Sequence, residues 1–344
     1  MEACSSDERL SYEDAMAKMK RPIARSGLDN SGRLRDLVRP ATLAASSHNT
    51  QPWTFTLAER SVTIRPDFTR RTPIVDPDDH HLFVSLGCAT ENLVHAALAS
   101  GLHTDVLVRE DSIDVAFDET TPVRSPLFEA IPVRQCSRSI YDGHPLTVTE
   151  LRALEDVAQG DGVHAIVMTA TPQIETVLDY VTRGNTAQIG DPAFVAELKA
   201  WIRFSEAEAV RTGDGLFSRT TGNPAVPRWL GTRLLGALLT PKSENDKCAK
   251  QLRSSAGVIV FVSDVNDRRH WIEAGRCYER LALQATALGI RTAFLNQPVE
   301  VAPLRSQLAT WLNLGARRPD LVVRFGRGPE MPRSLRRPIE QVLA

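Results

Sequence analysis

The 344-residue chain lacks a long apolar run. Its longest strongly apolar stretch is GVIVFV, residues 257–262, whereas a membrane-spanning helix needs about 20 such residues. No membrane partner is therefore expected. The acidic opening MEACSSDERLSYEDAMAK lacks the apolar core of an export signal, so a cytoplasmic protein is expected. Net charge is also lacking, at −1. That disfavours a general polyanion partner, and no nucleic acid is expected. Cysteine is sparse: Cys4, Cys88, Cys136, Cys248 and Cys277 are odd in number, scattered, and form no C-x-x-C. This suits reduced thiols rather than a disulfide frame or a zinc site. The phosphate-loop pattern G-x-x-x-x-G-K-[ST] is missing, since GTRLLG has the spacing without the lysine. FGRGPE has two glycines but no third and no following helix, a poor dinucleotide fingerprint. Without G-x-S-x-G a hydrolase triad has no anchor. His80 and His81 stand beside Asp76, Asp78 and Asp79 without helical i, i+4 spacing. They read as a solvated loop, and no metal site is expected.

What is present suits one large domain or two medium ones, with 42% hydrophobic residues. A helical pattern over about 32–45 runs into the polar SSHNTQPW (46–53). WTFTL and SVTIR then alternate across AER as a hairpin. A Pro/Asp-rich loop precedes a long helix rich in small residues, LFVSLGCATENLVHAALASGL. From Ile131 the pattern begins again. A short basic loop and a turn at Asp142-Gly143 lead to a helix capped by Thr147 or Thr149, with Glu150 in its first turn. HAIVMTA reads as a strand and 171–205 as mostly helical. The Gly- and Pro-rich stretch of about 205–250 reads as an irregular, lid-like insertion. AGVIVFVSD is a strand buried on both faces, followed by a second long helix, the strands RTAFLN and LVVRFG, and a basic tail.

The two long helices repeat each other. Shifted by 188 positions, FVSLGCATENLVHAALASGLHT lies on WIEAGRCYERLALQATALGIRT without a gap. Gly87 meets Gly275, Glu91 meets Glu279, and Gly101 meets Gly289. Small residues along one side let helix backbones approach closely. The expected organisation is two related halves, 1–130 and 131–344, whose long helices pack together like a dimer fused into one chain.

AASSHNTQPW resembles the P-S-x-x-N-x-Q-P-W element of nitroreductase-like flavoproteins. RQCSR followed by IYDGHPL resembles that family's R-x-S-x-R/K opening. The long helices look like its central helix, and RFGRGPEMPRSLRRPIEQVL like its closing strand and arginine-bearing arm. One motif in each half is similar to the Acg-like subgroup, where one chain holds two nitroreductase-like halves. The resemblance implies an α+β nitroreductase-like fold, a pseudo-dimer within one chain, and FMN held between the halves. KRPIARSGLDN (20–30) looks like a degenerate opening of the first half and no second Q-P-W occurs, so a single flavin is expected.

The residues suit this implied cofactor. Asn49 and Gln51 can donate and accept toward a flavin's polar edge; on an extended segment, two apart, they would point the same way. Ser46 and Ser47 can bond the ring or ribityl hydroxyls, and Trp53 packs behind. Arg134, Cys136 and Arg138 share the same alternation, with an arginine near N1 and the C2 carbonyl and others on the phosphate. Cys136 stands where the family has Ser or Thr, and Ala45 where it has proline. Arg333, Arg336 and Arg337 are further phosphate candidates. The loop Leu295, Asn296, Gln297 and Pro298 corresponds to the family's segment near flavin N5. That atom would carry the chemistry, and no side chain is expected to be catalytic. The implied activity is NADH- or NADPH-dependent two-electron reduction of a small electron-poor acceptor, nitroaromatic or quinone, by ping-pong hydride transfer. The alternatives are an FMN-sequestering protein with a lidded site and a flavin-free dimerisation scaffold. A monomer is expected, with at most weak self-association.

Overall fold

A computed structural model describes residues 10–21 and 30–344. Cys4 and residues 22–29 of the segment read as a degenerate opening lie outside the described residues.

The chain opens with α1 (Tyr12–Met19) and α2 (Asn30–Thr42). The expected hairpin follows as β1 (Trp53–Ala58) and β2 (Ser61–Pro66), in register from Trp53↔Pro66 to Ala58↔Ser61. Its alternation buries Trp53, Phe55, Val62 and Ile64 on one face. Next come α3 (His80–Ala99), β3 (Leu102–Val108) and β4 (Ile113–Glu119). The sheet order is β1-β2-β4-β3, every neighbour antiparallel.

After the short α4 (Pro126–Ala130) the chain reaches α5 (Val148–Val157). Of the two expected caps, Thr147 is the one that caps α5, and Glu150 in its first turn returns the bond. Strand β5 (Val163–Met168) leads to α6 (Thr171–Ile189), α7 (Pro192–Trp201) and β6 (Ile202–Arg203). Then come α8 (Glu206–Thr212), β7 (Leu216–Phe217), α9 (Arg228–Leu238) and α10 (Pro241–Arg253). The stretch 205–250, expected to be irregular, is thus largely helical. Its prolines sit where helices begin: Pro227 precedes α9, and Pro241 opens α10 behind the capping box of Thr240 and Ser243. Strand β8 (Gly257–Ser263), buried at every position, leads to α11 (Arg268–Ala287) and β9 (Arg291–Phe294). The last elements are α12 (Gln297–Glu300), α13 (Ala302–Trp311) and β10 (Arg318–Gly326). The second four-stranded sheet has the order β5-β8-β10-β9, again antiparallel throughout. Taken in chain order, the strands of both sheets follow one arrangement: first, second, fourth, third.

Helices α3 and α11 cross at the centre. A Cβ on Gly87 would stand 1.9 Å from the Ile272 carbonyl oxygen, and one on Gly275 2.0 Å from that of Val84. The two contacts are related by the same 188-residue shift. Only glycine fits a crossing this close, because a Cβ would meet the partner backbone. Among the described residues, α3 is the one helix long and apolar enough to cross a bilayer, and 83% of its most apolar stretch is buried in the fold.

Two segments later in the chain extend these sheets. Phe55 of β1 donates its N–H to Val342 at 2.7 Å and accepts from Ala344 at 2.9 Å, so the C-terminal arm extends the first sheet. The segment around Cys136 bridges Thr292 of β9, extending the second.

Candidate functional site

A cavity of about 490 Å³ opens beside the α3–α11 crossing, within the ordinary range for a small-molecule site. Its walls come from the Ser46–Asn49 loop, the 134–138 segment, α3, α6, α7, α9 and the arm near Arg333 and Arg336.

The loop SSHNTQ is not extended. Ser47–Asn49 form a 3-10 turn, and His48, Asn49 and Gln51 have φ of 49°, 54° and 53°. That left-handed backbone suits Asn better than most residues and replaces the expected strand-like alternation. Asn49 lines the cavity, yet its Nδ2 donates to the carbonyls of Gly215 and Leu335, both at 3.0 Å. Gln51 is fully buried: its Nε2 donates to Gly213 and its Oε1 accepts from the Arg337 N–H, each at 2.9 Å. These amides therefore stitch the loop to the 213–215 turn and to the C-terminal arm. Ser46 lines the cavity while its Oγ accepts from the Gln51 N–H; Ser47 lines it with its hydroxyl beside His48 Nδ1 at 3.2 Å. Trp53 is fully buried behind them.

The second motif supplies positive charge to the same cavity. Arg134 is buried against Glu279 of α11 at 3.0 Å and donates to the Leu43 carbonyl. Burial pushes the Glu279 carboxyl upward, opposed by Arg134. Cys136 and Arg138 line the cavity. The Arg138 side chain makes no hydrogen bond or ion pair with any described residue. Gln135 lines the cavity with both amide atoms buried and unpartnered, an arrangement that ordinarily calls for a ligand or water.

The arm brings further cations. Arg333 lines the cavity and donates to the Pro132 carbonyl. Arg336 also lines it, while its guanidinium holds the carbonyls of Thr42, Leu43 and Ala44 at the end of α2. Burial, then repulsion from Arg134, brings Arg333 down to about 10 and Arg336 to about 9. A guanidinium with a depressed pKa sits where an anion would relieve it. Arg337 lies outside the cavity lining and reaches the carbonyls of Gln51 and Gln341. In the loop after β9, Asn296 and Gln297 line the cavity, whereas Leu295 and Pro298 are buried behind them.

Four wall residues escaped the sequence reading. His48 lies inside the first motif. Burial, with Arg138 and His81 nearby, brings its pKa down to about 4 and keeps it neutral. His81 faces Glu300 at 3.6 Å, and Glu300 accepts from Gln188 Nε2 at 2.7 Å; all three line the cavity. The signal for His81 was its neighbourhood, misread as a solvated loop. In fact His80, His81 and Asp76 are buried. Asp76 takes the backbone N–H groups of His81 and Leu82, both at 3.0 Å, to open α3, and His80 bonds Asp320 at 2.8 Å. Among the described residues no cluster of His, Cys, Asp and Glu is arranged to hold a metal.

The geometry defines a mixed α/β protein of two four-stranded antiparallel sheets and a small parallel pair, β6 with β7, with a cation-lined cavity where loops from the two parts of the chain meet. No protein-family model matches the chain. It is 25% identical over 330 residues, 90% of each chain, to the Mycobacterium tuberculosis protein named "Putative NAD(P)H nitroreductase Rv3131". Solved structures with partial likeness include the FMN-dependent nitroreductase NfnB of Mycobacterium smegmatis in complex with NADPH (13% identity, TM-score 0.39, 63% of this chain and 96% of that one). Another is a Bacteroides fragilis nitroreductase with bound FMN (13% identity, TM-score 0.37, 60% and 89%).

Proposed function

We propose that this protein is a nitroreductase-like flavoprotein that holds one FMN in the cavity and uses NAD(P)H to reduce an electron-poor small molecule. The observation that carries the reading is that the Ser46–Asn49 loop and the Arg134–Arg138 segment line one cavity together. Sequence similarity over nine-tenths of the chain supports the same class.

The residues fit the group. The unpartnered Gln135 amide and the free Arg138 guanidinium offer donors that no described residue takes. Arg333 and Arg336 supply positive potential for a phosphate. Ser46, Ser47, Cys136, Asn296 and Gln297 line the remaining walls. Bound FMN would supply hydride acceptance and donation; the protein supplies orientation, charge and exclusion of water. Asn49, Gln51 and Arg337 act indirectly, by fixing the loop that forms one wall.

The chain is further read as two related halves. The equal strand orders and the matched glycine contacts at Gly87 and Gly275 support this. At the place that corresponds to Glu279, Glu91 is instead held by Arg276 and Arg280 at 3.0 and 3.1 Å. Arg280 also ties down the carbonyls of Val157 and Gln159. This supports one flavin per chain and a monomer. The cavity wall formed by residues 194–239 favours, as a second reading, a lidded FMN store with little turnover.

The test is the absorbance spectrum of the purified protein with its flavin content. About one FMN per chain, bleached by NADPH without oxygen, is expected. Two per chain refutes the single site, and a flavin that ignores both nicotinamides leaves the storage reading. A colourless protein that refuses FMN refutes both.

A further inference from the structure

Residues 189–239 carry eleven charged side chains, yet none lines the cavity that this segment walls. The charges turn elsewhere. Arg203 pairs with Asp214 at 2.7 Å, Arg219 with Glu206 at 2.5 Å, and Arg228 with Glu208 at 3.4 Å. Glu197 takes the N–H groups of Ile74 and Val75. The cavity side presents Phe194, Leu198, Ile202, Phe204, Leu235 and Leu239, with only short hydroxyls and one amide for polarity. Such sorting on one contiguous segment makes an apolar arm distinct from the cationic wall.

Two further facts separate this arm from ordinary core. Protein interiors close around apolar side chains and leave few voids, whereas these residues surround open space. The apolar lining also reaches the surface. Leu234 and Leu238 of α9 line the cavity and are 38% and 65% exposed. An apolar rim at a cavity mouth is costly in water unless an apolar group passes or covers it.

We infer that the arm binds the hydrocarbon chain of an amphiphilic acceptor, a quinone whose flat polar head lies at the cationic wall while its alkyl or isoprenoid tail runs along α7 and α9. The inference rests on the proposed flavin function for the head; the tail follows from the lining alone. Water leaving the arm supplies the affinity, which grows with each methylene buried. The short-chain nitroaromatic acceptors that the resemblance suggests would leave this arm unused.

The experiment is calorimetric titration of the purified protein with benzoquinones that share one head and carry no chain, a five-carbon chain or a ten-carbon chain. Decanoate serves as a chain without the quinone head, and FMN content is read in parallel. Binding should tighten on the order of 100-fold from no chain to ten carbons, below the ceiling that full burial of every methylene sets. The Leu235→Glu variant should reduce that ratio at least about tenfold. The Leu238→Glu variant, at a position already exposed, should reduce it without disturbing the fold. FMN present with a ratio near one overturns the apolar arm alone. Decanoate binding as tightly as the ten-carbon quinone overturns the quinone head. Absence of FMN overturns the proposed function and, with it, the head.

Discussion

Glu91 and Glu279 occupy corresponding places on α3 and α11, 188 residues apart, and both are buried. Their surroundings differ. Glu91 is gripped by Arg276, Arg280 and His95, at 3.0, 3.1 and 3.4 Å. Burial alone would raise its pKa, but these partners outweigh it and hold the carboxyl near 2. Among the described residues Glu279 forms an ion pair with Arg134 alone, with Arg336 acting more weakly, and burial wins, pushing its carboxyl up. One side of the helix pair is thus a closed knot of charge. The other keeps its cations at a cavity wall, where Arg333 and Arg336 form no ion pair among the described residues. The lesson is that a helix–helix core can remain symmetric while its polar flanks diverge, because the core is fixed by backbone approach and the flanks by single side chains.

The strongest way to break the comparison is to remove one partner of the cavity-side pair. Glu279→Met leaves Arg134 buried without a counter-charge and should cost about 3–5 kcal/mol in urea unfolding. The double variant Glu279→Met, Arg134→Met should recover much of that, since replacing both members of a buried pair is often neutral. Unchanged stability in the single variant would show that the pair is hydrated rather than dry.

The symmetric core is tested next. Gly87→Ala and Gly275→Ala each drive a methyl into a carbonyl of the other helix and should cost about 3 kcal/mol or more apiece, as severe overpacking does. The two losses should be equal within error. A large difference would mean that the helices cross symmetrically in position but not in energy.

The acid limb sharpens the comparison of the two glutamates. Glu91 has its folded pKa below the unfolded value of about 4.5. The stability it contributes is therefore present above pH 4.5 and is lost as pH falls toward 2. Glu279 has its folded pKa above that value, so its contribution falls as pH rises through the window above 4.5. Unfolding free energy measured from pH 2.5 to 6 should show a shallower acid limb for Glu91→Gln and no such flattening for Glu279→Gln.

The smallest effect on the fold should come from Arg138. It has no partner among the described residues, so Arg138→Ala should change stability by less than about 0.5 kcal/mol. FMN should nevertheless bind on the order of 10-fold more weakly, the range of one charge-assisted hydrogen bond. Equal FMN affinity would remove Arg138 from the site.

Much of the framework was legible in the residues. The hairpin follows from alternation, the start of α5 from a threonine cap at Thr147 or Thr149, and the close helix crossing from the shifted repeat of Gly87 and Gly275. The site was legible as two motifs but not as a geometry. Asn49 and Gln51 were read as ligands of one extended edge. Their left-handed backbone instead turns the amides onto Gly213, Gly215 and the arm, carbonyls more than 160 residues away in sequence. The helices of 205–250 hid behind prolines and glycines, and those prolines mark helix starts.

By itself the sequence determined where backbones approach, where helices begin and which residues alternate, because these are local properties of side-chain size, caps and period. Only the tertiary structure decided which glutamate's carboxyl is pushed up and which is held down, which arginine stays free and which face of the 189–239 segment turns to the cavity. Those outcomes depend on burial and on partners brought together from distant parts of the chain, and no local pattern encodes the distance between them.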